Sequence, residues 1–239
     1  MASESGLPQN HQNTQPGEQE PLLGGPGAAT QKEGDAVYYN LITGTATVAQ
    51  AGIWIFAALV WSGVLAQQWI LFTLHPVFNS AALLLQVQAA LVLQPTASPR
   101  QKLLGTRFHY SFQAFSLLAF LVAFVAIEVN KGDHPHFVSV HGRLGLITYL
   151  LIFSQALIGV VQYFFPVQVL GSVDTGKKIY KYHRIIGYVL LVLELFTVGW
   201  VIQDSSTDWL HISPWGILVS IILVLAGVGA RIKKHKLGF

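Results

Sequence analysis

Four histidines, His75, His109, His141 and His183, each lie near the start of a different long apolar stretch, spaced 34, 32 and 42 residues apart. An ionisable ring at membrane depth is costly, so it marks a functional site with a partner to be found. Consecutive membrane helices enter from opposite sides, and this sorts the rings by parity. His75 and His141 come near one face, His109 and His183 near the other. Two imidazoles facing each other inside a helix bundle supply both axial ligands of a haem iron, and two such pairs would stack two haems across the membrane. Iron ligated on both faces passes electrons without binding oxygen, because no coordination position is free. The expected chemistry is one-electron transfer, with no catalytic side chain beyond the ligands.

A flat macrocycle needs room beside each ring. Gly145 follows His141 by four residues, and Gly187 follows His183 by four. Positions i and i+4 share a helix face, so each glycine removes a side chain that would collide with a porphyrin edge. At the same offset from His75 and His109 stand Asn79 and Gln113, suited to bond a ring nitrogen or a propionate. Glu194 lies 11 residues after His183. At about 100° and 1.5 Å per residue it returns to within about 20° of the same face, roughly 16 Å along, towards the other pair. Gln86 stands in the same relation to His75. Charge is costly at that depth. Glu194 is expected either to carry a proton tied to the redox state of the nearby site, or to bond a neighbour as a neutral acid.

Other readings of the histidines are weaker. Single rings that only pack would not recur once per helix in four consecutive helices. A histidine proton relay in a haem-free, proton-coupled membrane transporter is the alternative function. A zinc site is disfavoured because parity splits the four into two pairs. His134 and His136 fall in a polar turn and read first as solvated residues; His11, His211 and His235 carry no argument.

The elements that must position these rings follow from composition. The chain has 239 residues, 52% hydrophobic and 10% charged, with mean hydropathy +0.51. Soluble domains carry about 25% charged residues, so the expected class is an all-α integral membrane protein. The absence of cysteine excludes disulfides, thiolate-bound iron–sulfur clusters and cysteine nucleophiles. Six spans are expected, over about 46–66, 69–93, 103–129, 137–164, 179–202 and 212–232. Residues 1–36 lack apolar periodicity and read as a disordered cytoplasmic tail, leaving 37–239 as the membrane domain. Within the tail, Glu18-Gln19-Glu20-Pro21-Leu22-Leu23 looks like an acidic dileucine sorting signal for endosomal, lysosomal or vacuolar membranes; the endoplasmic reticulum membrane is the alternative destination.

Charge sets orientation. Of the 14 Lys and Arg, only Lys131 and Arg143 fall outside the tail, the second-to-third loop, the fourth-to-fifth loop and the C-terminus. The positive-inside rule then puts both termini in the cytoplasm, with His109 and His183 towards it. Lys102, Arg107, Lys177, Lys178, Lys181 and Arg184 gather around the entrances of the third and fifth spans. Such a cluster raises the local concentration of an anion. Arg107 and Lys181 lead as substrate-binding residues, with Lys102 and Arg184 behind them. Across the membrane, His134, His136 and Arg143 are placed to meet a ferric chelate or a haem propionate. Membrane lipid is a partner by class, a homodimer is compatible with the pattern, and nucleic acid is not expected.

Several of these segments match a known pattern. His75-Pro76 opening a helix, the basic stretch before His109, Ser139-Val140-His141-Gly142 and Tyr180-Lys181-Tyr182-His183-Arg184-Ile185-Ile186-Gly187-Tyr188 resemble the cytochrome b561 family over about residues 45–232. The resemblance implies six transmembrane helices, the central four holding two haem b groups. It implies His75 and His141 as the non-cytoplasmic axial ligands and His109 and His183 as the cytoplasmic ones. It also implies a transmembrane oxidoreductase, taking electrons from cytoplasmic ascorbate or a similar anion and passing them to monodehydroascorbate or ferric iron. The stretch before His109 departs from the Arg- and Lys-rich pattern of ascorbate-binding members. It is more similar to the short, domain-only members tied to ferric reductase activity.

Overall fold

Apolar stretches without backbone partners in lipid must bond internally, and helices do so. A computed structural model describes residues 25–203 and 205–238, and these form helices and turns with no strand among them. The long helices are α1 (Ala46–Leu65), α2 (Leu74–Leu93), α3 (Pro99–Lys131) and α4 (Val140–Phe164). A five-residue α5 (Pro166–Leu170) then leads to α6 (Val173–Val201) and α7 (Pro214–Gly229). Five segments are long and apolar enough to cross a membrane: α1, α2 with the 3-10 turn before it, α3, α4 and α6. The apolar α7, at 16 residues, rises about 24 Å, against a hydrocarbon core of about 30 Å.

Helix α2 begins at Leu74 instead of Trp69, after a 3-10 turn over Leu71–Thr73, and α3, α4 and α6 also begin elsewhere than hydropathy predicts, for which capping is the reason. α3 starts at Pro99 instead of Leu103, because Ser98 and Gln101 form a reciprocal capping box and Pro99 needs no N–H partner at N1. α4 starts at Val140 instead of Phe137: Phe137 takes a φ of +54°, and the Ser139 hydroxyl accepts from Gly142 N at 3.0 Å. α6 starts at Val173 instead of Ile179, with Ser172 accepting from Thr175 N at 3.1 Å. The histidines therefore sit at two depths. His75 and His141 are second residues of α2 and α4, whereas His109 and His183 lie ten residues past the starts of α3 and α6.

The helices pair as α2 with α3, α1 with α7 and α4 with α6, while α1 also packs on α2. Glycines bring α1 and α7 into backbone contact. A Cβ on Gly227 would fall 2.3 Å from Ala49 N, and one on Gly52 would fall 2.7 Å from the Ser220 carbonyl oxygen. With no hydrophobic drive between helices in lipid, small residues are what let them approach. Ile53, Phe56, Leu83, Val87, Leu195 and Val224 form the buried core between α1, α2, α6 and α7. α3 and α4 turn Phe115, Leu118, Leu150 and Leu157 outward, where lipid would cover them.

Residues 25–36, expected within the tail, make defined contacts. Gln31 is buried, Gln31 N donates to the Pro95 carbonyl at 3.0 Å, and Gly27 N donates to the Ala230 carbonyl at 2.7 Å. The dileucine-like segment lies outside the described residues.

Candidate functional site

The chain order of α2 and α4 brings His75 and His141 to the same end. Their ring centroids are 6.2 Å apart, with planes at 88°. Each ring is held by a backbone carbonyl of a neighbouring helix. His75 Nδ1 donates to the Ala123 oxygen at 3.1 Å, and His141 Nδ1 to the Thr197 oxygen at 3.2 Å. A carbonyl only accepts, so Nδ1 carries the proton and Nε2 keeps its lone pair. That is the arrangement of an oriented metal-ligating histidine. Metal–imidazole bonds are about 2 Å long; two of them end to end, with the ring radii, place centroids about 6 Å apart, so the observed spacing admits one iron between the rings.

Both rings line a cavity of about 480 Å³ that also includes Asn79, Gly145, Tyr149, Glu194 and Trp209. Around Gly145 nothing lies within 4 Å of where a Cβ would stand, which leaves space beside His141. Asn79 Nδ2 donates to the His75 carbonyl at 2.8 Å, and its Oδ1 accepts from Tyr149 Oη at 2.8 Å. Tyr149 in turn stands edge-on to Phe120 and Phe124. Asn79 therefore braces α2 against α4 beside the His75 ring.

His109 and His183 occupy the opposite end. His109 Nδ1 donates to the Ala89 carbonyl at 3.1 Å, again leaving Nε2 free to ligate. His183 differs from the other three: its buried Nδ1 has no hydrogen-bond partner among the described residues. Gly159 of α4 faces this ring, and a Cβ there would lie 3.0 Å from His183 Cε1. Gln155, one turn earlier, donates to the His183 carbonyl at 2.5 Å. Gln155 and Gly159 escaped sequence reasoning, although their i, i+4 spacing on α4 repeats the pattern noted elsewhere. Gly187 lies against Gln155, with a Cβ 3.5 Å from its Nε2, while Gln113 is half-buried.

The cations near this second end divide in two. Arg107, Lys178 and Lys181 are exposed, Lys181 with its ammonium 4.9 Å from the Tyr182 ring. Lys177 is paired with Asp174 at 3.1 Å. Lys102 and Arg184 instead lie near Lys233 and Lys236 of the C-terminal segment. Arg184 Nη1 donates to the Lys236 carbonyl, and Lys236 Nζ donates to the Thr96 carbonyl at 3.2 Å. Burial first, then the Lys233, Arg184 and Lys102 charges, pull the Lys236 amine down to about 8. No carboxylate pairs with these four cations among the described residues. Arg231, read from the sequence as a tail charge, is instead 1% exposed.

On the α3–α4 turn, His134 and Arg143 are exposed, and Arg143 Nη2 donates to the Val138 carbonyl at 3.0 Å. His136 is not simply solvated. Its Nδ1 bonds the Glu128 carboxylate, and its Nε2 donates to the Gly132 carbonyl at 3.0 Å. The Gly132 carbonyl and then the Glu128 carboxylate hold this imidazole above its ordinary range.

Five apolar helices long enough to cross a membrane, with oriented imidazoles between them, define a multi-pass membrane protein with a histidine site in its interior as a class. Residues 74–208 match the family described as eukaryotic cytochrome b561, and the chain belongs to that family of haem-binding transmembrane oxidoreductases. It is 22% identical over 219 residues to the transmembrane ascorbate-dependent reductase CYB561 of Bos taurus, covering 87% of this chain and 84% of that one. The Ovis aries protein of the same name matches at the same identity and coverage. A putative homologue from Caenorhabditis elegans is 22% identical over 150 residues, covering 59% of this chain and 55% of that one.

Proposed function

We propose that residues 37–239 carry electrons across a membrane through two haem b groups, one held by His75 and His141, the other by His109 and His183. The observation that carries this reading is the shared tautomer of His75, His109 and His141. Each points Nδ1–H at a carbonyl and so keeps its lone pair on Nε2, that of His75 lying 3.4 Å from Asn79 Nδ2, and the His75 and His141 ring centroids are 6.2 Å apart. Haem iron, when bound, supplies reversible one-electron storage. The chain's own residues orient the ligands through the carbonyls of Ala123, Thr197 and Ala89, and leave space beside them at Gly145.

Helix α7 completes a sixth crossing, and both termini face the cytoplasm, following the distribution of Lys and Arg. The donor is ascorbate or a similar anion, in keeping with the names of the bovine and ovine relatives. It is drawn to the cationic end by Arg107, Lys181, Lys102 and Arg184. The acceptor is monodehydroascorbate or a ferric chelate, met near His134, His136 and Arg143.

Detergent-purified chain should show a reduced-minus-oxidised band of the b type and two haem equivalents. Replacing His109 by alanine should remove about one equivalent and leave the other's spectrum recognisable. Survival of both overturns the pairing; a colourless parent protein favours the haem-free, proton-coupled transporter.

A further inference from the structure

At mid-height in the bundle a carboxyl group is buried with one oxygen unaccounted for. Glu194 is 3% exposed, and its Oε1 accepts from Gln86 Nε2 at 3.1 Å. Its Oε2 is buried and has no hydrogen-bond partner among the described residues. Buried polar atoms are nearly always bonded, so an orphan calls for a ligand or a role. Glu194 lines the same 480 Å³ cavity as His75 and His141. It is also one helical turn from Thr197, whose carbonyl orients His141. A bare carboxylate beside one amide at this depth would be an uncompensated charge. A carboxylic acid with its proton on Oε2 would be neutral, and Gln86 can donate to Oε1 in either state.

We infer that Glu194 is a proton-carrying residue of the His75–His141 site, exchanging a proton at Oε2 with the cavity as the redox state of the group held by that histidine pair changes. The inference rests on the haem reading proposed above. A haem held by His75 and His141 would supply the one-electron storage, and on its reduction Glu194 would take a proton from water at the cavity mouth to form an O–H bond at Oε2. When the electron leaves to the one-electron acceptor, that O–H bond breaks and the proton returns by the same route. Charge in the apolar interior stays constant through the cycle, which removes a large part of the cost of placing an electron there.

The other titratable groups lining the cavity are His75 from α2, Glu128 and Lys131 from α3, and His141 and Tyr149 from α4. Neighbouring α1 contributes Phe56 and Val60, and the α6–α7 connection contributes Trp209, Leu210 and Ile212. The two histidines are committed as ligands. Glu128 already bonds His136 near the turn, and Tyr149 already donates to Asn79. Glu194 is thus the carboxyl that lines this cavity with a buried oxygen lacking a hydrogen-bond partner among the described residues.

The test is a redox titration of the haem-loaded full chain across pH, comparing the parent with Glu194→Gln, an isostere that cannot ionise. The parent's potential at the His75–His141 site should fall as pH rises, and the variant's should be flat over the same range. An equal slope in both, with the haem spectrum intact, overturns this inference alone. A parent without a b-type band overturns the haem reading, and this one with it. Infrared difference spectra of the unsubstituted protein guard against a variant that fails to fold. Reduction should alter a protonated-carboxyl band that shifts in heavy water and persists in Glu128→Gln. No such band, or its loss in Glu128→Gln, overturns the assignment to Glu194.

Discussion

The guanidinium of Arg231 donates to the carbonyl of Asn40 at 3.0 Å, across 191 residues of chain, and to the carbonyl of Leu91 at 3.2 Å. Asn40 is itself fully buried and donates to the Val92 carbonyl at 2.8 Å. One cation thereby ties the end of α7 to the approach to α1 and to the last turn of α2, with carbonyl dipoles in place of a carboxylate. Replacing Arg231 by leucine leaves those acceptors unpaired, at a cost of about 2 kcal/mol. Thermal unfolding in detergent, followed by tryptophan fluorescence, should show the loss. Lysine should restore little of it, because a single ammonium lacks the planar fork that reaches two carbonyls. A leucine variant as stable as the parent would remove this pin from the account.

Gly159, against the His183 ring, and Gly145, beside open space, should differ in how much added bulk they accept. Gly159→Val places atoms against His183 Cε1, where even a Cβ would stand at 3.0 Å. It should lower haem content by about one equivalent, with the spectral loss matching that of His183→Ala. Gly145→Ala meets open space and should leave both equivalents in place. Gly145→Phe should displace the other equivalent by filling the cavity beside His141. Haem content by pyridine haemochrome, read with the visible spectra, decides both cases.

Anionic donors should feel the cation cluster, and pH should reveal one of its members. Reversing Arg107 and Lys181 together should slow reduction by an anionic donor more than by a neutral one; equal slowing would indicate damage. Raised salt should weaken the difference for these exposed charges. Lys236 is charged below about 8 and neutral above it. The anionic donor's rate should therefore fall as pH rises through about 8, and Lys236→Gln should abolish that step. Stopped-flow reduction across pH reads both effects.

The α3–α4 turn should loosen as pH rises above the ordinary imidazole range. Because His136 in the folded chain titrates above its ordinary value, its pairing with Glu128 stabilises the turn fully below the unfolded value of about 6.5. That contribution is lost as pH rises through the folded-state value. Protease nicking of the turn should accelerate over that window in the parent. His136→Ala should be nicked at the faster rate throughout, and a parent rate independent of pH would show that the ion pair does not hold the turn.

Much was legible along the chain because it depends on local chemistry. Hydropathy alone determines the helical, multi-pass character, since a backbone in lipid has few ways to satisfy itself. The motifs around His75, His141 and His183 determined the family. Helix starts were less legible: Ser98, Ser139 and Ser172 cap their helices, and window hydropathy does not weigh capping serines. Only tertiary structure decided which partner each polar residue found. Gln86 and Glu194 read as pointing to opposite sites, yet they meet at 3.1 Å, because α2 and α6 pass each other at mid-bundle. Arg231 counted among the C-terminal charges that set orientation, yet it is a buried pin, because the carbonyls that hold it come from elements some 140 and 191 residues away. A sequence records each residue's appetite for burial and charge; which distant acceptor satisfies it is a property of helix packing, and that is where the spacing between His75 and His141 arises.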